Sequence, residues 1–131
     1  NLIERRIERE LVPCCQAYDI GVIPYHPLAA GFLTGKYHPG ETPPDGRLSE
    51  VTPLSHSIFT EANWKKLAKL QALAAECGHT VGELAIAWLL SHSGLSSVIA
   101  GARKIEQVAA NVASAELKLT AEEVAAVEDI S

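Results

Sequence analysis

Methionine is missing from all 131 residues, position 1 included, and the chain opens abruptly on "NLIERR". The expectation is a piece of a longer protein. Positive charge is scarce as well: 11 Lys and Arg stand against 16 Asp and Glu, and the net charge of −5 argues against a general binder of nucleic acid or anionic membranes. No apolar run approaches the roughly 20 residues that span a bilayer, and no signal peptide is visible. Cysteine is limited to Cys14, Cys15 and Cys77, an odd number without metal-ligand spacing. That argues against a disulfide framework, suits a reduced cytoplasmic setting, and leaves the thiols as small apolar filler in helices. The five histidines, His26, His38, His56, His79 and His92, form no His-x-x-His or Cys/His cluster, so no metal site is expected.

What is present is ordinary globular material. Hydrophobic residues make up 47% and charged residues 21%, which suits one small domain with a sizeable core. The spacing of Leu11, Cys14 and Tyr18 predicts a helix, with Pro13 tolerated in its first turn. "IGVIPY", residues 20–25, reads as a short strand of a parallel sheet covered on both faces, ending at Pro24. Residues 35–57 hold Gly35, Pro39, Gly40, Pro43, Pro44, Gly46 and Pro53, a density of breakers that predicts a long surface loop. Thr60 caps a helix running to Cys77, with Leu67, Leu70, Ala74 and Cys77 inside and Gly78 as its stop. Thr80 and Glu83 form a capping box for a helix presenting Val81, Leu84, Ala85 and Trp88. A second strand follows at Ser97 to Ala100. After it come a helix over about Lys104 to Ala113, with Ile105, Val108 and Val112 on one face, and a last helix. That one is capped by Thr120 and Glu123 and turns Val124, Val127 and Ile130 inward. Strands alternating with helices imply right-handed βα units and a parallel sheet, but two strands neither close a barrel nor complete a doubly wound sheet.

Two strand-to-helix turns carry the chemistry. In "YHPLAAGFLTGKY", residues 25–37, the small residues Ala29, Ala30 and Gly31 let backbone N–H groups approach a ligand at the strand's C-terminal end. Lys36 offers a charge to a phosphate, and Tyr25 a ring for stacking. Alone, the segment reads as readily as a plain βα loop with a core Tyr. In "SSVIAGARKIEQVAANV", residues 97–112, Arg103 and Lys104 sit where a strand hands over to a helix. The helix dipole disfavours cations there unless an anion is present too. A phosphate would accept the N–H groups and neutralise the cations. A solvated Arg103 is the open alternative.

The segments "NLIERRIERELVPCC", "IGVIPYHPLAAGFLTGKY", "LAIAWLL" and "SSVIAGARKIEQVAANV" occur in the order found in the C-terminal part of aldo-keto reductases. The chain resembles that family over essentially its whole length, most of all its bacterial and potassium-channel β-subunit-like branch. The resemblance implies an α/β fold: the C-terminal part of a (β/α)8 TIM barrel, its last two βα units plus the C-terminal helix, incomplete as given. Residues 1–131 would be one fragment of a single barrel domain, and 35–57 a cofactor-covering loop within it. Barrel ligands bind at the C-terminal ends of the strands, where both turns fall.

The resemblance also implies NADP(H). Tyr25 resembles the residue that stacks on nicotinamide, and the backbone of His26, Pro27, Leu28, Ala29, Ala30 and Gly31 resembles the pyrophosphate cradle. His26 stands where Ser is commoner. Lys36 and Arg47 look like the cations that fold over the pyrophosphate. Gly101 and Arg103 look like the pair at the adenosine phosphate, with Arg103 suited to a 2′-phosphate. Gln107 and Asn111 look like contacts to the adenine end; without the family they read as solvated polar residues. The family's catalytic Asp, Tyr, Lys and His belong to earlier strands, and Tyr18, Tyr25 and Tyr37 do not match that Tyr, so no catalytic residue is assigned. The implied parent is an NADP(H)-dependent oxidoreductase reducing a small aldehyde or ketone to an alcohol. The chain alone would be inactive, and would self-associate or pair with the missing barrel half. The alternatives are a non-catalytic nucleotide-binding or regulatory piece and an inactive truncated remnant.

Overall fold

The computed structural model describes residues 1–41, 46–49 and 52–131. The described α-helices are α1 (Leu11–Ala17), α2 (Pro53–Ile58), α3 (Glu61–Glu76), α4 (Val81–Leu90), α5 (Ile105–Glu116) and α6 (Ala121–Ile130), with 3₁₀ turns at Arg6–Glu8 and Ala29–Thr34. Local side-chain caps decide where most of them start. Thr60 Oγ1 accepts from Asn63 N, and reciprocal boxes join Thr80 to Glu83 and Thr120 to Glu123. Gly78, at φ 75°, lets the chain leave the end of α3 in the left-handed region.

Amphipathic spacing then gathers these helices on one core. Leu67, Leu70 and Ala74 of α3 are buried, as are Val81, Leu84, Ala85 and Trp88 of α4 and Val127 of α6. Phe32, Leu33, Tyr37 and Leu48 close the core from the segments between the first turn and α2, and Leu2 enters it from the N-terminus. α3 packs on α4 and on α6, and α4 also packs on α5.

Several sequence expectations need correction. The segment at 20–25 forms two isolated parallel bridges rather than a continuous ladder: Tyr25 with Ile99, inside the expected second strand at 97–100, and Val22 with Leu95, two residues before it. Three backbone bonds hold them: Val22 N to Gly94 O, Ser96 N to Val22 O and Ile99 N to Pro24 O. Pro24 has no N–H to give, and Ile20, Ile23 and Ile99 are exposed, so neither segment is covered on both faces. The face of Leu11, Cys14 and Tyr18 on α1 is likewise exposed, and Cys14 is therefore not core filler; Cys15 and Cys77 are half-buried. Ile105, Val108 and Val112 on α5 face solvent, and its buried residue is Ser114, whose hydroxyl bonds Ala110 O.

The expected loop over 35–57 is broken by α2. Pro53 starts that helix instead of interrupting a loop, because its missing N–H lies where no intrahelical partner exists, and Thr52 and Ser55 cap it reciprocally. Pro43 and Pro44, counted among the breakers, lie outside the described residues.

Candidate functional site

The parallel bridges put Tyr25 beside Ile99, so the turn after Tyr25 and the turn after Ile99 emerge at the same end of the paired segments. Tyr25 is 74% exposed, which removes the core-Tyr reading. Its ring stands edge-on to the His26 imidazole, with centroids 5.0 Å apart.

Beyond it the backbone is tightly curled. His26, Ala29 and Ala30 have φ of 54°, 47° and 57°, and Gly31 follows at 94°. Left-handed backbone is costly for residues with a Cβ and concentrates at functional turns. The curl is tied down from several sides. Asn1 Nδ2 donates to His26 O at 3.1 Å, Ala29 N to His26 O at 2.9 Å, and Gly31 N to Leu28 O at 2.9 Å. Pro27 and Ala29 are buried beneath it, while Leu28 packs against the core's edge.

Two expected cations meet this turn. Lys36 lies 4.9 Å from the Tyr37 ring centroid, and a methyl group at Gly46 would come within 2.6 Å of its Nζ. Gly46 also stands at φ 123°, a backbone conformation that residues with a Cβ rarely adopt. Next to Gly46, Arg47 extends to the turn and places Nη1 2.7 Å from His26 Nε2. Leu48 points the other way into the core, and its N–H donates to Tyr37 Oη at 3.5 Å. The structure thus brings Tyr25, His26, Leu28, Gly31, Lys36 and Arg47 to one rim, with Pro27 and Ala29 beneath it.

The second turn is differently arranged. Nothing lies within 4 Å of where a Gly101 Cβ would stand, so the space beside it is open. Gln107, one turn into α5, reaches back: its Oε1 accepts from Arg103 N at 2.7 Å and from Lys104 N at 3.2 Å. The two N–H groups suited to an anion are thereby satisfied by the chain itself. Gln107 is thus an exposed side chain that also caps the start of α5. Asn111, the half-buried residue one turn on, stands on the same face of α5.

Sequence reasoning missed Asn1, Tyr37 and the His26–Arg47 pair. Asn1 carries a local signal, since its Oδ1 accepts from Ile3 N and Glu4 N as an Asx turn does. Its bond to His26 has none. Among the described residues no group of three or more His, Cys, Asp or Glu could hold a metal ion, and no helix is long and apolar enough to cross a membrane.

These turns, small residues and rim cations agree with a match found along the whole chain: a family model described as "Aldo/keto reductase family" covers residues 1–131. The chain belongs to the aldo/keto reductase family. Among curated relatives, it is 37% identical over 115 residues to a probable voltage-gated potassium channel subunit beta of Oryza sativa, covering 86% of this chain and 35% of that protein. It is 36% identical over 117 residues to the L-glyceraldehyde 3-phosphate reductase of Escherichia coli K12, covering 86% and 34%. Among solved structures it superposes on the glycerol dehydrogenase of Gluconobacter oxydans with a TM-score of 0.76 at 32% identity, over 99% of this chain and 39% of that one. The chain therefore spans about a third of the length of the curated relatives it matches.

Proposed function

We propose that residues 1–131 form the cofactor-binding C-terminal part of a (β/α)8 barrel that reduces an aldehyde or ketone to an alcohol with NADPH. The observation that carries the reading is the parallel bridging of Tyr25 and Ile99, which opens both turns at one end. Tyr25 offers an exposed ring face to nicotinamide. The curled backbone of His26 to Gly31, with Lys36 and Arg47 on its rim, suits a pyrophosphate. The open space at Gly101 and the Arg103 side chain suit the adenosine 2′-phosphate, with Gln107 and Asn111 toward the adenine. NADPH, when bound, supplies the hydride. This chain's residues orient it and neutralise its phosphates, and the proton donor to the carbonyl oxygen comes from elsewhere in the barrel. Free thiols at Cys14, Cys15 and Cys77 are compatible with a cytoplasmic setting.

The test is Arg103→Ala in a polypeptide that completes the barrel. A hydrogen bond to a charged group is worth about 1.5–3 kcal/mol, so NADPH affinity falls roughly ten- to a hundredfold while NADH, which lacks the 2′-phosphate, is little changed. Equal losses for both cofactors would sink the 2′-phosphate assignment. The identity to potassium channel β-subunits favours a second reading, in which nucleotide occupancy reports to a partner and carbonyl reduction is secondary. Turnover of simple aldehydes by the completed barrel decides between them.

A further inference from the structure

The contact between His26 and Arg47 carries a constraint that neither residue shows alone. A guanidinium has only N–H donors and no acceptor. At 2.7 Å from Arg47 Nη1, His26 Nε2 must therefore be the acceptor. An imidazole can accept there only when it is neutral and its proton is on Nδ1. The backbone holds the ring in place for this: His26 sits at φ 54°, its carbonyl takes N–H groups from Ala29 and Asn1, and buried Pro27 follows it. Arg47 is fixed from its own side, between Gly46 under the Lys36 ammonium and Leu48 in the core.

We propose that His26 is a positioning residue that holds Arg47 over the pyrophosphate turn, and that it does so only as the neutral Nδ1–H tautomer. The proposal rests on the cofactor reading above. Gaining a proton would turn the acceptor into a donor and set an imidazolium against a guanidinium, so Arg47 would leave the turn. Other charged and titratable groups lie near the ring. Arg47 faces it directly, and Lys36, on the same rim, is a second cation. The Tyr25 ring stands edge-on. From the N-terminal segment Asn1 Nδ2 meets the His26 carbonyl, and the Glu4 carboxylate pairs with Arg6. Among the described residues no ion pair joins a carboxylate to this imidazole.

Two measurements test it. In the 131-residue chain labelled with ¹⁵N-histidine, neutral His26 should show a protonated Nδ1 and a bare Nε2, with His26→Gln assigning the signals. Arg47→Ala should shift the equilibrium toward the Nε2–H form. A dominant Nε2–H tautomer in the unmutated chain would overturn the contact. In the barrel-completing polypeptide, NADP⁺ affinity is then compared across variants at pH 8. His26→Gln keeps an acceptor near the Nε2 position and should match the unmutated protein, while His26→Ala is weaker by about three- to tenfold. Equal affinities for the unmutated protein and His26→Ala, or no recovery in His26→Gln, would overturn the positioning role. Failure of NADP⁺ to bind any variant would instead overturn the cofactor reading, with the tautomer result still deciding whether the contact exists.

Discussion

Gln107→Ala separates the structural work of that side chain from its work on a ligand. In the folded chain Oε1 takes two N–H groups at the start of α5, from Arg103 and Lys104. Removing a side-chain cap costs about 0.5–2 kcal/mol, and the exposure of this one lets water replace it in part. The expected loss is therefore in the lower half of that range, about 0.5–1 kcal/mol, or a melting point lower by roughly 2–4 °C for a chain of this size. Gln107→Glu keeps the acceptor and adds a negative charge at a helix N-terminus, worth about 0.3–1 kcal/mol at low salt. It should melt at or above the unmutated chain, with the gain shrinking in high salt. Cofactor binding should reverse that order. The same carboxylate repels a phosphate, so Gln107→Glu binds NADP⁺ most weakly, whereas Gln107→Ala frees both N–H groups for it. Circular-dichroism melts at two salt concentrations, paired with cofactor titrations of the completed barrel, read both effects. If Gln107→Ala melts with the unmutated chain, the cap contributes nothing and the account of this terminus is wrong.

Other outcomes follow from the same structure. Leu84→Ala, at a fully buried position on α4, should cost about 2–5 kcal/mol in denaturant unfolding; a loss under 1 kcal/mol would mean that α4 is not the centre of the core. The Glu83 carboxylate is held below its usual range, first by the Thr80 N–H and then by the Thr80 hydroxyl. A depressed folded pKa stabilises above the ordinary glutamate value of about 4.3 and loses that contribution as pH falls through the lower folded value. Glu83→Gln should accordingly flatten the acid limb of the stability curve below about pH 4.3, and an unchanged limb would refute the assignment. Sedimentation of the isolated chain should show association, because Ile20, Ile23, Ile99 and Ile105 are all more than half exposed; a compact monomer at high concentration would contradict this.

What the sequence disclosed tracks the distance over which each feature is encoded. The caps at Thr60, Thr80 and Thr120 join residues three apart, and the inner faces of α3 and α4 repeat within one helix. Both are legible. Pro53 misled because a proline reads as a breaker and as a helix start alike, and only Thr52 and Ser55 around it distinguish the two. The apolar segment at Ile20 to Ile23 reads as doubly covered because hydropathy records what a strand can bury, not whether its neighbours share the chain. The site divided in the same way. The small residues and cations of the turns were visible, as was their kinship to a family. The His26–Arg47 contact, the Asn1 bond to the turn and the Tyr37–Leu48 bond were not, since each joins residues that no local pattern relates.

The bridge between Val22 and Leu95 also has a kinetic side. It closes a stretch of roughly seventy residues, and the entropic cost of such a closure grows as the logarithm of its length, reaching about 4 kcal/mol here. Only a few backbone bonds reward that closure directly, whereas α3 and α4 are stabilised by contacts close along the chain. The helical core can therefore assemble while the two turns are still apart. Their meeting comes late in folding and is the first thing lost on partial opening. A ligand that spans both turns would act as a tie across that slowest closure, so occupancy of the site and completion of the fold become one event.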